Sequence, residues 1–494
     1  MAFRRDHVLG TSMNLLVRVD EASCADEVLR LQDVPMLDTN RSLNQANEVL
    51  RHADDELEQF DRECSSYRDD SPLTRLNACN DWIDVPDRLR QLLRCLDTAD
   101  RLTGGAVVPW MGAVTRLWRD AALRGATPDD DTLQATLAGA RATSVEVDVR
   151  NRRARRIGPA TINVDAIGKA LAVDRVAARL SALPGVLSVL VEIGGDIRAA
   201  SRDPDARGWP VAIADPRIPF DNAAPLALLE LRNAAVCTSG PTRRGDRAGW
   251  SRFSHIFSPF TGLPVAQLRS ASVIAPSAVL ANALATSGIV RGADELRRRC
   301  AHVPGTAALL VENDNSLRTI GQLPLTAGSF DVLHGNAGAD ASTRSAFKND
   351  WLVQITLRLP KLNVKKYRRP YVAVWIEDST GKPIRTLTVW GNEREYLREM
   401  TSWWKVAAGN KQLIAAVTRA TRPPGEYKLA WDGRRDDGTA VDPGTYSICI
   451  EVNREHGGHL VRRVKLTCGD EPTDATIAAC DELDETVLRY GPLE

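Results

Sequence analysis

The sequence predicts two folded parts in one chain: an α+β part with mixed sheets and helices over residues 1–325, then an antiparallel β-sandwich over residues 349–470. Three observations carry this reading. Helical and extended patterns mix in the first part without a regular βαβ rhythm. Residues 326–348, rich in Gly, Ala, Ser and Asp and without periodicity, read as a linker. Beyond them, alternating apolar and polar runs are separated by Gly, Pro and Asp turns. At 494 residues, 43% of them hydrophobic, the chain is long enough for two or three such cores.

Taken in order, "HVLGTSMNLLVRV" predicts a strand. Leu43, Val49, Leu50, Ala53, Leu57 and Phe60 then recur at helical spacing. "PDRLRQLLRCLDTADRLTGG" is a second helix ending at a Gly pair, and "SVLVEIGGDIRAA" is a strand broken by Gly194 and Gly195. "PSAVLANALATSG" is a helix with Ser277 as N-cap and Gly288 as stop. Asn282 and Thr286 share one face of it, among Ala, Leu and Val. A buried polar group without a partner costs roughly a few kcal/mol, so this pair is expected to hold something.

In the second part, "WLVQITLRLP", "PYVAVWIEDSTGKPIRTLTVW", "EYKLAWDGRRDDGTAVDPGTYSICIEV" and "LVRRVKL" are the strands. Asp-Gly turns and Pro443-Gly444 set hairpin geometry, as in immunoglobulin-like sandwiches. Trp351, Trp375, Trp390, Trp403, Trp404 and Trp431 are expected in the sandwich core; an exposed patch that docks a partner is the competing reading. "KKYRRP" reads as a solvated edge, and residues 471–494 as an acidic tail with some helical pattern.

Composition excludes several classes. Lys plus Arg equals Asp plus Glu at 64 each, so nothing in the net charge points to nucleic acid. The 9 cysteines are never spaced C-x-x-C, which argues against a zinc site or a disulfide framework. No run approaches the roughly 18 to 20 apolar residues of a membrane span. "MAFRRDHVLG" lacks the apolar region of a signal peptide, so the chain as written is expected to be soluble and unexported.

Four segments, "SSYRDDSPLTRLN", "INVDAIGKALAVDRVAARL", "VEIGGDIRAA" and "CTSGPTRRGDRAGWSRFSHIFSPFTGLPV", precede "PSAVLANALATSG". Over residues 7–320 this arrangement resembles the flavin transferases of the ApbE family, FAD:protein FMN transferases. The resemblance implies cleavage of the FAD pyrophosphate with Mg²⁺, transfer of FMN to a Thr or Ser of a target protein, and release of AMP. A pyrophosphate calls for a hard cation with oxygen ligands, and a hydroxyl nucleophile calls for a proton acceptor. No segment of this chain resembles the family's Asp-x-x-Thr-Gly-Ala target motif, so the target is expected to be another protein.

Carried over residue by residue, the resemblance makes His255 the base or phosphate contact. It places Leu9 and Gly10 in a Met-Gly-Thr run, Tyr67 as a wall for the flavin, and Asn77 as the family's Asn in its "SxLxRLN" segment. Ala106, Val107 and Val108 stand where the family has Ala-Phe-Asp; Asn163, Lys169, Gly194, Gly195 and Asp196 complete the cofactor-binding set. The implied metal ligands are the Ala166 carbonyl, Asn282 and Thr286, with Asp165 beside them. Asn163, Ser258 and Asn282 occupy positions where the family has Asp, whereas Asp165 and Glu192 are additional acids. Negative charge is therefore expected to have moved around the site and to preserve a cation site of altered geometry. The competing readings are a relative that holds FAD without cleaving it and an adaptor acting through the sandwich. Residues 349–470 resemble a family of uncharacterised bacterial β-domains (DUF2271-like), and the flavin transferase resemblance implies the periplasm or cell envelope as the location.

Overall fold

The first extended run folds as a hairpin and not as the single strand its pattern predicts. β1 (Ala2–Val8) pairs antiparallel with β2 (Thr11–Val19). The chain reverses through Leu9 in the left-handed region, φ 47°, a conformation costing a non-glycine residue roughly 1–2 kcal/mol. The structure is a computed structural model that describes all residues except 10, 20–38, 204–205, 242–244, 249–250, 327–344, 349–350, 365–366, 392–396, 411–412, 415–416, 420 and 493–494. Gly10 and most of the expected linker thus lie outside the described residues. The chain divides into two units, Met1–Arg217 with Ala227–Phe330, and Ile218–Leu226 with Asp331–Glu494.

In the first unit the predicted helical spacing becomes α1 (Thr39–Cys64), which buries Val49, Ala53, Leu57 and Phe60. α2 (Pro72–Ala78) begins at Ser71, whose hydroxyl accepts from the Thr74 N–H. β3 (Ile83–Asp84) leads into α3 (Asp87–Thr103), which stops at Gly104, φ 60°. α4 (Gly112–Leu123), α5 (Asp130–Arg141) and the hairpin β4 (Ser144–Asp148) and β5 (Arg153–Ile157) follow. Next come α6 (Gly168–Ser181), β6 (Val186–Ile193), β7 (Asp196–Ser201), β8 (Trp209–Ala214), β9 (Pro225–Leu231) and β10 (Ala235–Ser239). β11 (Gly245–Ala248), β12 (Ser251–Ser254), β13 (Ser270–Ala275), α7 (Ala278–Arg291), α8 (Ala293–Cys300), β14 (Ala307–Val311) and β15 (Leu317–Ile320) complete it.

An antiparallel sheet of order β1-β2-β6-β7-β10-β13-β14-β15 forms the frame. α6 packs on β6 and β7, and α7 on β10 and β13. Ala278, Ala281, Ala283 and Ala285 of α7 are fully buried, together with the bulkier Leu284 and Ile289. Gly288 does not end this helix. It continues to Arg291 and turns out at Gly292, φ 84°. Gly288 is instead a packing residue, because a Cβ there would lie 2.9 Å from Leu296 and 3.3 Å from Ala271.

The second unit is a pair of sheets. One has the order β20-β16-β24-β23 and the other β19-β18-β17-β21-β22, where β16 is Leu352–Leu359, β17 Tyr371–Glu377, β18 Pro383–Trp390, β19 Thr418–Arg419, β20 Gly425–Trp431, β21 Gly444–Asn453, β22 His459–Cys468, β23 Thr473–Ile477 and β24 Thr486–Gly491. Val353, Ile355 and Leu357 alternate inward and meet Trp390, Ile448 and Trp431 in one core. The opposite face of the five-stranded sheet is covered by α9 (Thr401–Ala407), with Trp403 against Trp375 and Val389. Trp375, Trp390, Trp403 and Trp431 are thus core residues, and Trp351 and Trp404 are half-buried. The expected acidic tail is corrected: β23 and β24 add to the sheet, with β24 hydrogen-bonded between β16 and β23. Thr486, Leu488 and Tyr490 alternate inward, and this period of two outweighs the acidic composition between them.

Candidate active site

The candidate site is organised by the amino end of α7. Ser277 accepts from the Leu280 N–H at 3.3 Å, and the Asp174 carboxylate accepts from the Ala278 and Val279 N–H groups at 2.8 and 3.1 Å. Asp174 was not singled out in the sequence, although it closes the "KALAVD" run that contains Lys169. Burial raises its pKa above the ordinary carboxylate value, against the lowering effect of the two backbone donors.

One turn further along α7, the Asn282 amide nitrogen donates to Asp196 Oδ1 at 3.1 Å and Oδ2 at 3.3 Å. That carboxylate fixes which end of the amide is nitrogen. Asn282 Oδ1 therefore points away, buried and without a hydrogen-bond partner among the described residues. Asp196 is delivered there by the hairpin between β6 and β7. Gly194 and Gly195 have φ values of 62° and 96°, both positive as a type I′ turn demands. A Cβ on Gly194 would stand 3.0 Å from the Thr11 Cγ2 atom, so the turn is also closely packed. Thr286 lies one turn beyond Asn282, its hydroxyl 3.1 Å from that of Ser239. Cys237, fully buried nearby, has its thiol pKa pushed well up by burial and by Asp196, and it stays protonated.

A second cluster gathers Tyr67, Asn163 and Asp165. Tyr67 Oη donates to Asp165 Oδ1 at 3.4 Å, and Asn163 Nδ2 to Asp165 Oδ2 at 3.2 Å. The Asp165 N–H donates to Asn163 Oδ1 at 2.7 Å, closing a tight turn that leads through Ala166 into α6 and its half-buried Lys169. The Asp165 charge is the leading cause that raises the Tyr67 phenol pKa. With 82% of its surface exposed, the Tyr67 ring is available as a flat wall. Asn77 holds this turn from behind: its side chain donates to the Ile162 carbonyl at 3.0 Å and accepts from the Ile162 N–H at 2.8 Å. Ala106 and Val107 are buried and Val108 packs against the main core, so this run presents little exposed side chain.

His255 follows β12 and is half-buried. Its neighbours fix the segment. Ile256 packs among Leu268, Leu284 and Leu296, while Phe257 stacks on Trp118 at 5.8 Å. Ser258, where the resemblance leads one to expect Asp, is buried and accepts from the Phe260 N–H, so it caps a turn.

The oxygens on α7 fit a hard cation: an orphaned buried amide carbonyl, a hydroxyl one turn away, and a carboxylate beside them. The two additional acids, Glu192 and Asp165, are both hydrogen-bonded to neighbouring side chains. Glu192 accepts from Asn14 at 2.7 Å across β2 and β6, and Asp165 is bound to Tyr67 and Asn163. Among the described residues no group of three or more His, Cys, Asp or Glu side chains is placed to hold a metal ion. The cation fit rests on neutral oxygens plus one carboxylate.

The fold is that of a flavin transferase domain. The crystal structure of Pseudomonas stutzeri flavinyl transferase ApbE in its apo form superposes with a TM-score of 0.51 at 26% identity, over 68% of this chain and 96% of that one. The apbe protein of Thermotoga maritima shares the fold with a TM-score of 0.52 at 22% identity, over 65% of this chain and 97% of that one. Residues 10–310 match the model of the ApbE family, and the chain belongs to that family. A relative from Treponema pallidum named FAD:protein FMN transferase is 31% identical over 319 residues, covering 61% of this chain and 87% of the relative. One of the same name from Haemophilus influenzae is 26% identical over 272 residues, covering 53% and 78%. Residues 352–485 match a family described as "Predicted periplasmic protein (DUF2271)". No helix among the described residues is long and apolar enough to cross a membrane.

Proposed function

We propose that this chain is an FAD:protein FMN transferase that moves FMN from FAD to a Thr or Ser hydroxyl of a separate target protein and releases AMP. In the reaction the hydroxyl oxygen forms a bond to the FMN phosphorus, the bond from that phosphorus to the bridging oxygen breaks, and AMP leaves with that oxygen. The observation that carries the reading is the orphaned Asn282 carbonyl beside Asp196, with Thr286 one turn on, in a chain of this family. These groups, with the Ala166 carbonyl, would hold Mg²⁺. Bound there, Mg²⁺ would neutralise charge developing on the pyrophosphate. Asp196 accepts from the Asn282 amide nitrogen, so the carbonyl is the end of the amide left for a cation. Tyr67 offers a face for the isoalloxazine, and His255 accepts the proton of the attacking hydroxyl.

Incubation with FAD and a Thr-bearing target, with Mg²⁺ or EDTA, tests this by chromatography of AMP and in-gel flavin fluorescence of the target. Mg²⁺-dependent AMP and a labelled target are the expected result. Tightly held, uncleaved FAD would favour the second reading, a flavin-binding relative, which the neutral amide at position 282 supports. We further propose that the protein works in the cell envelope, on the strength of the family described for residues 352–485. Recovery of the native protein from the cytoplasmic fraction alone would rule that out.

A further inference from the structure

Behind the α7 corner the first unit holds a second cavity, of about 1220 Å³, between α1, α3, α6, β7 and the start of α7. Neither Asn282, Thr286 nor His255 lines it. Arg94, Arg175, Arg179 and Arg198 do, against only two carboxylates, Glu56 and Asp174. The lining therefore carries an excess of positive charge in a concave place, where field is concentrated.

The arginines divide into two kinds. Arg175 and Arg179 are committed: their guanidinium groups lie 2.6 and 3.3 Å from the buried Glu56 carboxylate, which Arg88 also contacts at 3.0 Å. They are held in this ion-pair cluster around Glu56. Arg94 makes no hydrogen bond or ion pair among the described residues and is exposed at the cavity mouth. Arg198 reaches Asp174 only at 3.8 Å through Nε, and its Nη1 is buried without a hydrogen-bond partner among the described residues. A buried guanidinium N–H with no acceptor is costly and fits a site that awaits an anion. The start of α7 does not explain the site, because its N–H groups are already taken by Asp174 and Ser277. Cys95 brings no thiolate either, its thiol being pushed up to about 11 by burial.

We propose that this cavity is a second, non-catalytic binding site for a small phosphorylated molecule, whose phosphate oxygens accept from Arg198 Nη1 and from Arg94. The volume exceeds that of inorganic phosphate and suits a ligand of nucleotide size. A bound phosphate here would touch Arg198, which shares β7 with Asp196, and would compete for Arg198 with Asp174, the group that holds the start of α7.

The test is calorimetric titration of the full chain with inorganic pyrophosphate in EDTA, so that no divalent cation bridges the probe to the α7 corner. Wild type is expected to bind in the micromolar to millimolar range. Arg94→Glu and Arg198→Gln are each expected to weaken binding at least tenfold, and Asn282→Ala to leave it within twofold. Arg94 is exposed, so its variant reports on binding with the fold intact. Absence of binding by wild type, or binding lost in Asn282→Ala and retained in Arg94→Glu, overturns the proposal. Neither result bears on AMP release with Mg²⁺, so this site and the transferase reading fail separately.

Discussion

Asn282→Asp changes one atom and inverts the electrostatics of the α7 corner. The amide nitrogen lies 3.1 and 3.3 Å from the Asp196 carboxylate oxygens, so the variant brings two carboxylates into contact. At an effective dielectric of about 20, two unit charges about 3.2 Å apart repel by about 5 kcal/mol, and relaxation to about 4 Å leaves about 4 kcal/mol. The lost hydrogen bond adds roughly 1 kcal/mol, while sharing of a proton between the acids takes some of the total back. A net loss of about 3 kcal/mol in EDTA is expected, which for a unit of 321 residues, at roughly 2.1 cal/mol/K of unfolding entropy per residue, is about 4–5 °C in Tm. A cation between the carboxylates removes the repulsion, and ligand at about a hundred times its Kd contributes about 2.7 kcal/mol. Thermal unfolding at pH 8 with EDTA and with millimolar Mg²⁺ reads both effects. Wild type is expected to shift less with Mg²⁺ than the variant, which recovers most of its loss. If Asn282→Asp melts with wild type in EDTA, or if Mg²⁺ moves both equally, the corner is not the cation site deduced from it.

Four further outcomes follow from the same geometry. Gly194→Ala forces a Cβ to 3.0 Å from Thr11 at φ 62°, so a loss of about 1–2 kcal/mol is expected in denaturant unfolding. His255→Ala is expected to lower FMN transfer at least a hundredfold while FAD binding, followed by flavin fluorescence, stays within a few-fold. Glu56 is buried: desolvation opposes its ionisation, yet Arg88 and Arg175 hold its carboxyl below the ordinary value of 4.5. Its stabilisation is thus present above the unfolded-state pKa and is lost as pH falls through the lower folded value; Glu56→Gln should cost about 3–5 kcal/mol at pH 7 and flatten that acid limb in a melting series. Ending the chain after residue 470 removes β23 and β24 and uncovers β16, so loss of cooperative unfolding in the second unit, seen by near-UV circular dichroism, is expected.

Elements with a strong period were legible in the sequence. Val49, Ala53, Leu57 and Phe60 stand on one face of α1 as their spacing required, and Gly104 ends α3. Gly288 misled because a glycine in a helix signals either an end or a close approach, and only the position of Leu296 tells which. The tail misled because the acids between Thr473 and Glu485 hide an alternation that only pairing with β16 gives a reason for. At the site, Asn282 and Thr286 were visible as a polar pair on an apolar face, but the partner of Asn282 was not. Asp196 lies 86 positions away on a strand, and nothing local in either segment specifies that contact. Asp174 was missed for the same reason: its carboxylate works on N–H groups 104 and 105 positions further on.

The second unit takes nine residues, Ile218–Leu226, from the middle of the first unit's sequence. Asn222 there donates to the Ala430 carbonyl at 2.8 Å and accepts from the Ala430 N–H at 2.9 Å, and the Asp221 N–H donates to the Lys428 carbonyl at 2.7 Å. These bonds occupy the outer edge of β20, which would otherwise be an open sheet border. A gene cut at the linker would therefore deliver neither half whole: the detached sandwich would expose a sticky border, and the front half would keep a loop with nothing to bind. The two units can be exchanged among related proteins only as a matched set, so that loop and sandwich should vary together through descent.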